Sequence, residues 1–97
     1  NMVVFAFNNA VSEQAEADIL STMESMKATL VDLEKDIKNL EPAWIATEAD
    51  FYYKRVRKFR KHADIIISIL SIIENQLRNS RLAIQEYREG VGRALRS

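Results

Sequence analysis

From Tyr52 to Ala94 the chain repeats alternating steps of four and three residues without a slip: Tyr52, Val56, Phe59, Ala63, Ile66, Leu70, Ile73, Leu77, Ser80, Ile84, Tyr87, Val91 and Ala94. Only Ser80 in that series is polar. A period of 3.5 draws one apolar stripe along an α-helix; a half-buried strand has a period of two. Ile19, Met23, Met26, Leu30, Leu33, Ile37 and Leu40 keep the same steps upstream. Between the two runs, Glu41-Pro42-Ala43-Trp44-Ile45-Ala46-Thr47 breaks the pattern. Pro42 removes an amide donor and disfavours helical geometry at Glu41. Thr47, with Asp50 three residues on, reads as a capping box. The sequence therefore predicts a single all-α domain over residues 1–97, folded as an antiparallel two-helix hairpin. Its first helix covers about 9–40, capped by Asn8, Asn9 or Ser12. The turn covers about 41–47 and the second helix about 48–92. Gly90 and Gly92 predict fraying beyond that point, and the longer helix overhangs its partner by around a dozen residues.

Composition removes most alternatives. The 97 residues include two Gly, one Pro, one His and no Cys. Without Cys there is no disulfide framework and no thiolate metal site. His62 alone does not build a His cage or a His-centred triad. Two Gly near the C-terminus do not make a phosphate cradle, and an all-β fold needs more turn residues than these. The isoleucine-rich stretch 64–73 has strand propensity, but it stays in phase with the helical stripe on both sides and has no second strand to pair with. It also falls short of the roughly 20 apolar residues that span a bilayer. Residues 2–7 are apolar but short, with no basic segment before them and no small-residue cleavage site after them, so they do not read as a cleavable signal.

The formal net charge is zero, yet residues 1–43 hold eight acids and three bases, and residues 44–97 hold six acids and eleven bases. Each half repels itself and attracts the other, which favours folding back at the break.

The second helix carries more apolar surface than a hairpin covers. Ile65, Ile69 and Ile72 form a second stripe, and Ile67 sits elsewhere again. A helix apolar over most of its circumference is one that is buried all round. Burying one isoleucine contributes about 1.5–3 kcal/mol, so a second hairpin, giving a four-helix bundle as homodimer or heterodimer, is the economical way to cover them.

No constellation points to chemistry. Lys54-Arg55-Val56-Arg57-Lys58-Phe59-Arg60-Lys61-His62 is the densest charge run. It fits a patch for nucleic acid or anionic membrane, or, because Val56 and Phe59 belong to the stripe, bases flanking a seam against the acidic first helix. Overall neutrality argues against nucleic acid. Glu86 and Glu89 have no His for a di-metal bundle, and Met23 and Met26 read as seam filler. The expectation is a non-enzymatic protein without cofactor or metal.

The lone Trp44 sits in the break, where it either caps a small core or anchors a partner. Two long helices in about one hundred residues, with Trp44-Ile45-Ala46 in the turn and Phe51 shortly after, resemble the WXG family of small ESAT-like helical hairpins. Ala46 stands where that family's Trp-x-Gly motif has glycine. The seam through Leu77 to Ile84-Gln85-Glu86 adds to the likeness. The resemblance implies a secreted substrate, adaptor or helical companion in bacterial type VII secretion. It would leave the cytoplasm without a cleavable signal, with itself, a paralogous hairpin or a larger toxin as partner and a secretion ATPase as the receiving machine. The family's bipartite export signal places an aromatic four positions before an acid near the end of the second helix. Tyr87 would be the aromatic, with Glu86 beside it, but position 91 is Val91. That departure implies export in the company of a partner that carries the signal. A basic helical module and a generic coiled-coil assembly subunit are the alternative readings.

Overall fold

The computed structural model describes the backbone of residues 2–97 and the side chains of residues 8–97. Two helices, α1 (Met2–Leu40) and α2 (Ala46–Arg96), pack antiparallel across one 3-10 turn at Glu41–Ala43. The described residues contain no strand. The molecule is a rod of 76 × 17 × 16 Å. Its radius of gyration is 21.9 Å, against about 12.5 Å for a compact chain of this length. At about 1.5 Å per residue, the 51 residues of α2 run its full length.

Pro42 sits in the first turn of the 3-10 segment, where its missing N–H costs nothing. No side chain caps this segment; instead the Trp44 N–H donates to the Glu41 carbonyl at 3.0 Å, and Trp44 and Ile45 are extended, which reverses the chain.

 Ile45 is the N-cap of α2 and has no capping side chain, while Ala49 N–H closes the first helical turn onto the Ile45 carbonyl at 3.1 Å. The capping box expected at Thr47 and Asp50 does not form: Thr47 lies inside the first turn, and Asp50 pairs instead with Lys54 at 3.1 Å. Replacing Ile45 with Asp supplies the absent cap and sets an anion at the positive end of α2. It is expected to stabilise the fold by about 1 kcal/mol, read as a higher midpoint in thermal circular dichroism; an unchanged or lower midpoint contradicts the assignment.

Both helices outrun their expected bounds. Residues 2–7 contain no Gly or Pro, and α1 starts at Met2 rather than near residue 9. Gly90 and Gly92, each costing about 1 kcal/mol relative to alanine, do not stop α2, which continues to Arg96. Arg93 and Arg96 suit the negative end of its dipole. With 51 residues against 39, α2 is still a dozen residues longer than α1.

The α1 stripe folds as its spacing predicts. Ile19, Met23, Met26, Leu33 and Ile37 are half-buried and Leu30 is buried; only Leu40, beside the turn, is exposed. On α2 the seam is rotated. Val56, Ala63, Leu70 and Leu77 face inward as expected, but their companions are Tyr53, Ile67, Glu74 and Arg81 rather than Tyr52, Phe59, Ile66 and Ile73. Leu30 and Ala63 are the buried apolar residues among those described.

Candidate interaction surface

The rotation of α2 has an electrostatic cause. Glu13, Glu34 and Glu41 on the α1 side are separated by multiples of seven residues, and so are Arg81, Arg60 and Tyr53 on α2. Side chains seven apart share one edge of a coiled-coil helix, so these two rows face each other along the rod. Arg60 donates to Glu34, the Tyr53 hydroxyl to Glu41, and Arg81 Nη1 to Glu13 at 3.4 Å. The strongest contact is at Glu16, a buried carboxylate. It accepts Arg81 Nε at 2.8 Å and Nη2 at 3.0 Å on its two oxygens, and the Ser12 hydroxyl at 2.9 Å. This fork-to-fork geometry is the most directional that a carboxylate and a guanidinium form. The Arg81 hydrogen bonds hold the Glu16 carboxyl below its ordinary range, against the opposing effect of desolvation. Glu74, also buried, accepts Arg78 Nη1 at 3.1 Å. Sequence reasoning missed this edge, although the seven-residue spacing of the acids and bases was there to be read.

The opposite edge is apolar and open. Tyr52, Phe59, Ile66, Ile73 and Tyr87 lie seven or fourteen residues apart on one line of α2, and all are exposed, Phe59 by 53% and Ile66 by 47%. Ile69 lies one line further out; Ile65 and Ile72, the stripe singled out by sequence, lie two lines out. All three are at least half exposed. Of eighteen exposed large apolar side chains among the described residues, only Val11, Leu20, Val31 and Leu40 belong to α1. The uncovered surface is thus chiefly a property of α2. Between the helices on this side runs a groove walled by Thr22, Ser25 and Thr29 of α1 and by Phe59 of α2, with Leu30 and Ala63 at its floor.

At the turn, half-buried Trp44 lies against Tyr52, ring centroids 4.6 Å apart, and Phe51 meets Tyr52 edge-on at 5.4 Å. Ile45 points away, 63% exposed. Ala46 is the first residue of α2. No described residue has positive φ, so an alanine in the glycine position carries no backbone strain. Tyr87 and Glu86 are exposed near the far end of α2. About 1.5 Å per residue separates them from Trp44 by most of the rod, so the turn and the tail do not meet within one chain.

The basic run does not face α1 as a whole. Arg60 alone of its six Lys and Arg reaches an α1 acid among the described residues. Lys54 pairs with Asp50, and the Arg55 guanidinium sits 4.4 Å over the Phe51 ring. Arg57 and Lys61 border the outward face of Ile65, Ile69 and Ile72. His62 is exposed. Among the described residues no three His, Cys, Asp or Glu side chains gather as a metal site, and no helix is long and apolar enough to cross a membrane. Comparison with protein-family models, curated proteins and solved structures finds no match to this chain.

Proposed function

We propose that this chain is a non-enzymatic adaptor or secreted partner in a type VII-like secretion system, acting by assembly with another helical hairpin. The observation that carries this reading is the uncovered apolar line of α2. A hairpin stabilised along one edge by ion pairs leaves its greasier edge to a partner, and contiguous apolar patches of this kind mark interaction surfaces. The resemblance to the WXG family supplies the secretion context. Trp44-Ile45-Ala46 at the turn and Tyr87 in the tail support it, being surface groups at opposite ends of the rod that two chains could bring together. The absence of an acid at position 91 points to export as a pair.

Expression of a tagged chain in a host with such a secretion system tests this. The tagged chain is expected in the medium together with a co-purifying helical protein or a second copy of itself, and Trp44→Ala and Tyr87→Ala are expected to reduce the secreted fraction at least several-fold while leaving the intracellular level unchanged. Retention in the cell, or secretion indifferent to both substitutions, overturns the secretion reading.

A second reading rests on Arg57, Lys58 and Lys61, which form no ion pair among the described residues. They would bind an anionic surface, nucleic acid or lipid, with affinity falling steeply as salt rises. No shift of DNA, RNA or anionic vesicles at low salt removes it.

A further inference from the structure

Resting on the assembly reading above, we propose that α2 has two packing positions on α1 and that rolling between them opens or closes the partner edge. The structure shows the open position, with the ionic line inside and the apolar line outside. In the closed position α2 is turned about its own axis by one line, roughly 50°. Phe59, Ile66, Ile73 and Ser80 then enter the seam of their own hairpin, and Arg60, Glu74 and Arg81 pass to solvent.

The two positions share one line. Val56, Ala63, Leu70 and Leu77 face inward here, and they stand beside both companion lines. The roll repacks one side of the seam and keeps the other, and packed interfaces of that kind are bistable rather than continuously deformable. There is room for it. The groove on the apolar side is bordered by the short side chains of Thr22, Ser25 and Thr29, with Met26 and Leu30 within it.

The register fits the closed position without a slide. Glu34–Arg60 and Glu13–Arg81 fix the levels of the two helices. At those levels Phe59 falls midway between Leu33 and Ile37, Ile66 between Met26 and Leu30, and Ile73 between Ile19 and Met23. Each is a knob facing a hole made by residues already on the inward side of α1. One heptad on, Ser80 falls midway between Ser12 and Glu16. The single polar member of the apolar line therefore stands at the level of the buried Glu16 carboxylate. Its hydroxyl supplies Glu16 with a donor in the closed position, as Arg81 does in the open one. In the open position Ser80 is exposed and makes no hydrogen bond among the described residues.

The open position also carries a cost that the closed one removes. Glu74 is buried, and its hydrogen bonds come from Arg78 of its own helix, at 3.1 and 3.5 Å. Rolling returns Glu74 to water and takes Phe59, Ile66 and Ile73 out of it. Against this the open position sets the Glu16–Arg81 fork and the Arg60–Glu34 contact. One position is held by ion pairs and the other by apolar burial, so weakening the ion pairs shifts the population toward closure. Closure shields the apolar edge of a chain without a partner, and a partner that binds the edge selects the open position.

The chain has no cysteine, so single thiols report the roll. In Ile66→Cys and Ile67→Cys chains at low salt, reaction with uncharged iodoacetamide is expected to be several-fold faster at position 66, since Ile66 is exposed and Ile67 half-buried. With Glu16→Gln, Arg60→Gln and Arg81→Gln added, the order is expected to reverse while far-UV circular dichroism keeps its helical signal. A second arm leaves the ionic line intact. Salt at about 1 M shortens the screening length to about 3 Å and leaves apolar burial in place, so the ratio of the rate at 66 to that at 67 is expected to fall several-fold. A reversal or fall in either arm that is independent of chain concentration supports the roll. A ratio unchanged in salt and in the helical neutralised chain overturns it; if the neutralised chain loses its helices, the salt series decides alone. A fall that appears only as chain concentration rises also overturns it, because a second chain then covers position 66. The secretion reading stands or falls by its own test in every case.

Discussion

Replacing Leu30 with alanine is expected to cost about 2–4 kcal/mol and to leave much of the chain unfolded at physiological temperature. Leu30 lies mid-way along α1 on the floor of the interhelix groove, and it and Ala63 are the buried apolar side chains among the described residues. Most seam residues are only half-buried, so little else in the single hairpin offsets the loss. An Ala63→Gly change deletes less volume but adds a glycine to a helix interior, and about 1 kcal/mol is expected from the backbone alone. Val31, adjacent to Leu30 but 65% exposed, serves as the control: Val31→Ala is expected to stay within about 0.5 kcal/mol of the parent. Far-UV circular dichroism against urea, at one fixed chain concentration, reads all three. The concentration is fixed so that any association between chains contributes equally to all three by mass action. A Leu30→Ala midpoint equal to that of Val31→Ala would mean that the interhelix seam is not where the hairpin is held.

The fold was legible because periodicity survives without any tertiary information. Apolar steps of three and four over the length of both helices leave an antiparallel hairpin as the simple solution once Pro42 interrupts them. What hydrophobic spacing did not reveal is which of two overlapping seams α2 would use. The Val56, Ala63, Leu70 and Leu77 line is common to both. Its companion line can be Phe59, Ile66 and Ile73, richer in apolar area, or Arg60, Ile67, Glu74 and Arg81. Counting apolar residues selects the first. The hairpin uses the second, because α1 presents Glu13, Glu16 and Glu34 at matching levels and a paired charge satisfies hydrogen bonds that a neighbouring isoleucine would leave unmade. The isoleucines at 65, 69 and 72 were legible as surplus, but their place at the outer side of the open face depends on that rotation. Trp44 was legible as a tip residue; its packing on Tyr52 was not, because it depends on the extended conformations of Trp44 and Ile45.

Removing the Arg81 guanidinium is expected to destabilise the hairpin more than removing any exposed ion-pair member, such as Lys54. Arg81 satisfies both oxygens of buried Glu16, and without it that carboxylate keeps only the Ser12 hydroxyl. A buried charge stripped of its partner loses the interaction and still carries its desolvation cost. Arg81→Lys is expected to restore only part of the loss, since an ammonium does not reproduce the two-pronged contact. Exchanging the partners, Glu16→Arg with Arg81→Glu, is expected to recover more than the two single changes predict by addition, which a double-mutant cycle in melting temperature measures. The same contact sets an acid limit. The folded Glu16 carboxyl titrates below its ordinary value of 4.5, so the unfolded chain binds its proton first as pH falls. Its contribution is complete above about 4.5, declines below that value and is gone once the pH has passed through the folded pKa. Arg81, Arg78 and Ser12 favour the charged form from both helices, while burial opposes it. Glu16→Gln is therefore expected to lower stability at pH 7 and to flatten its fall below about pH 4.5 relative to the parent. Parallel acid limbs for parent and variant would show that the Glu16–Arg81 contact does not hold the two helices in register.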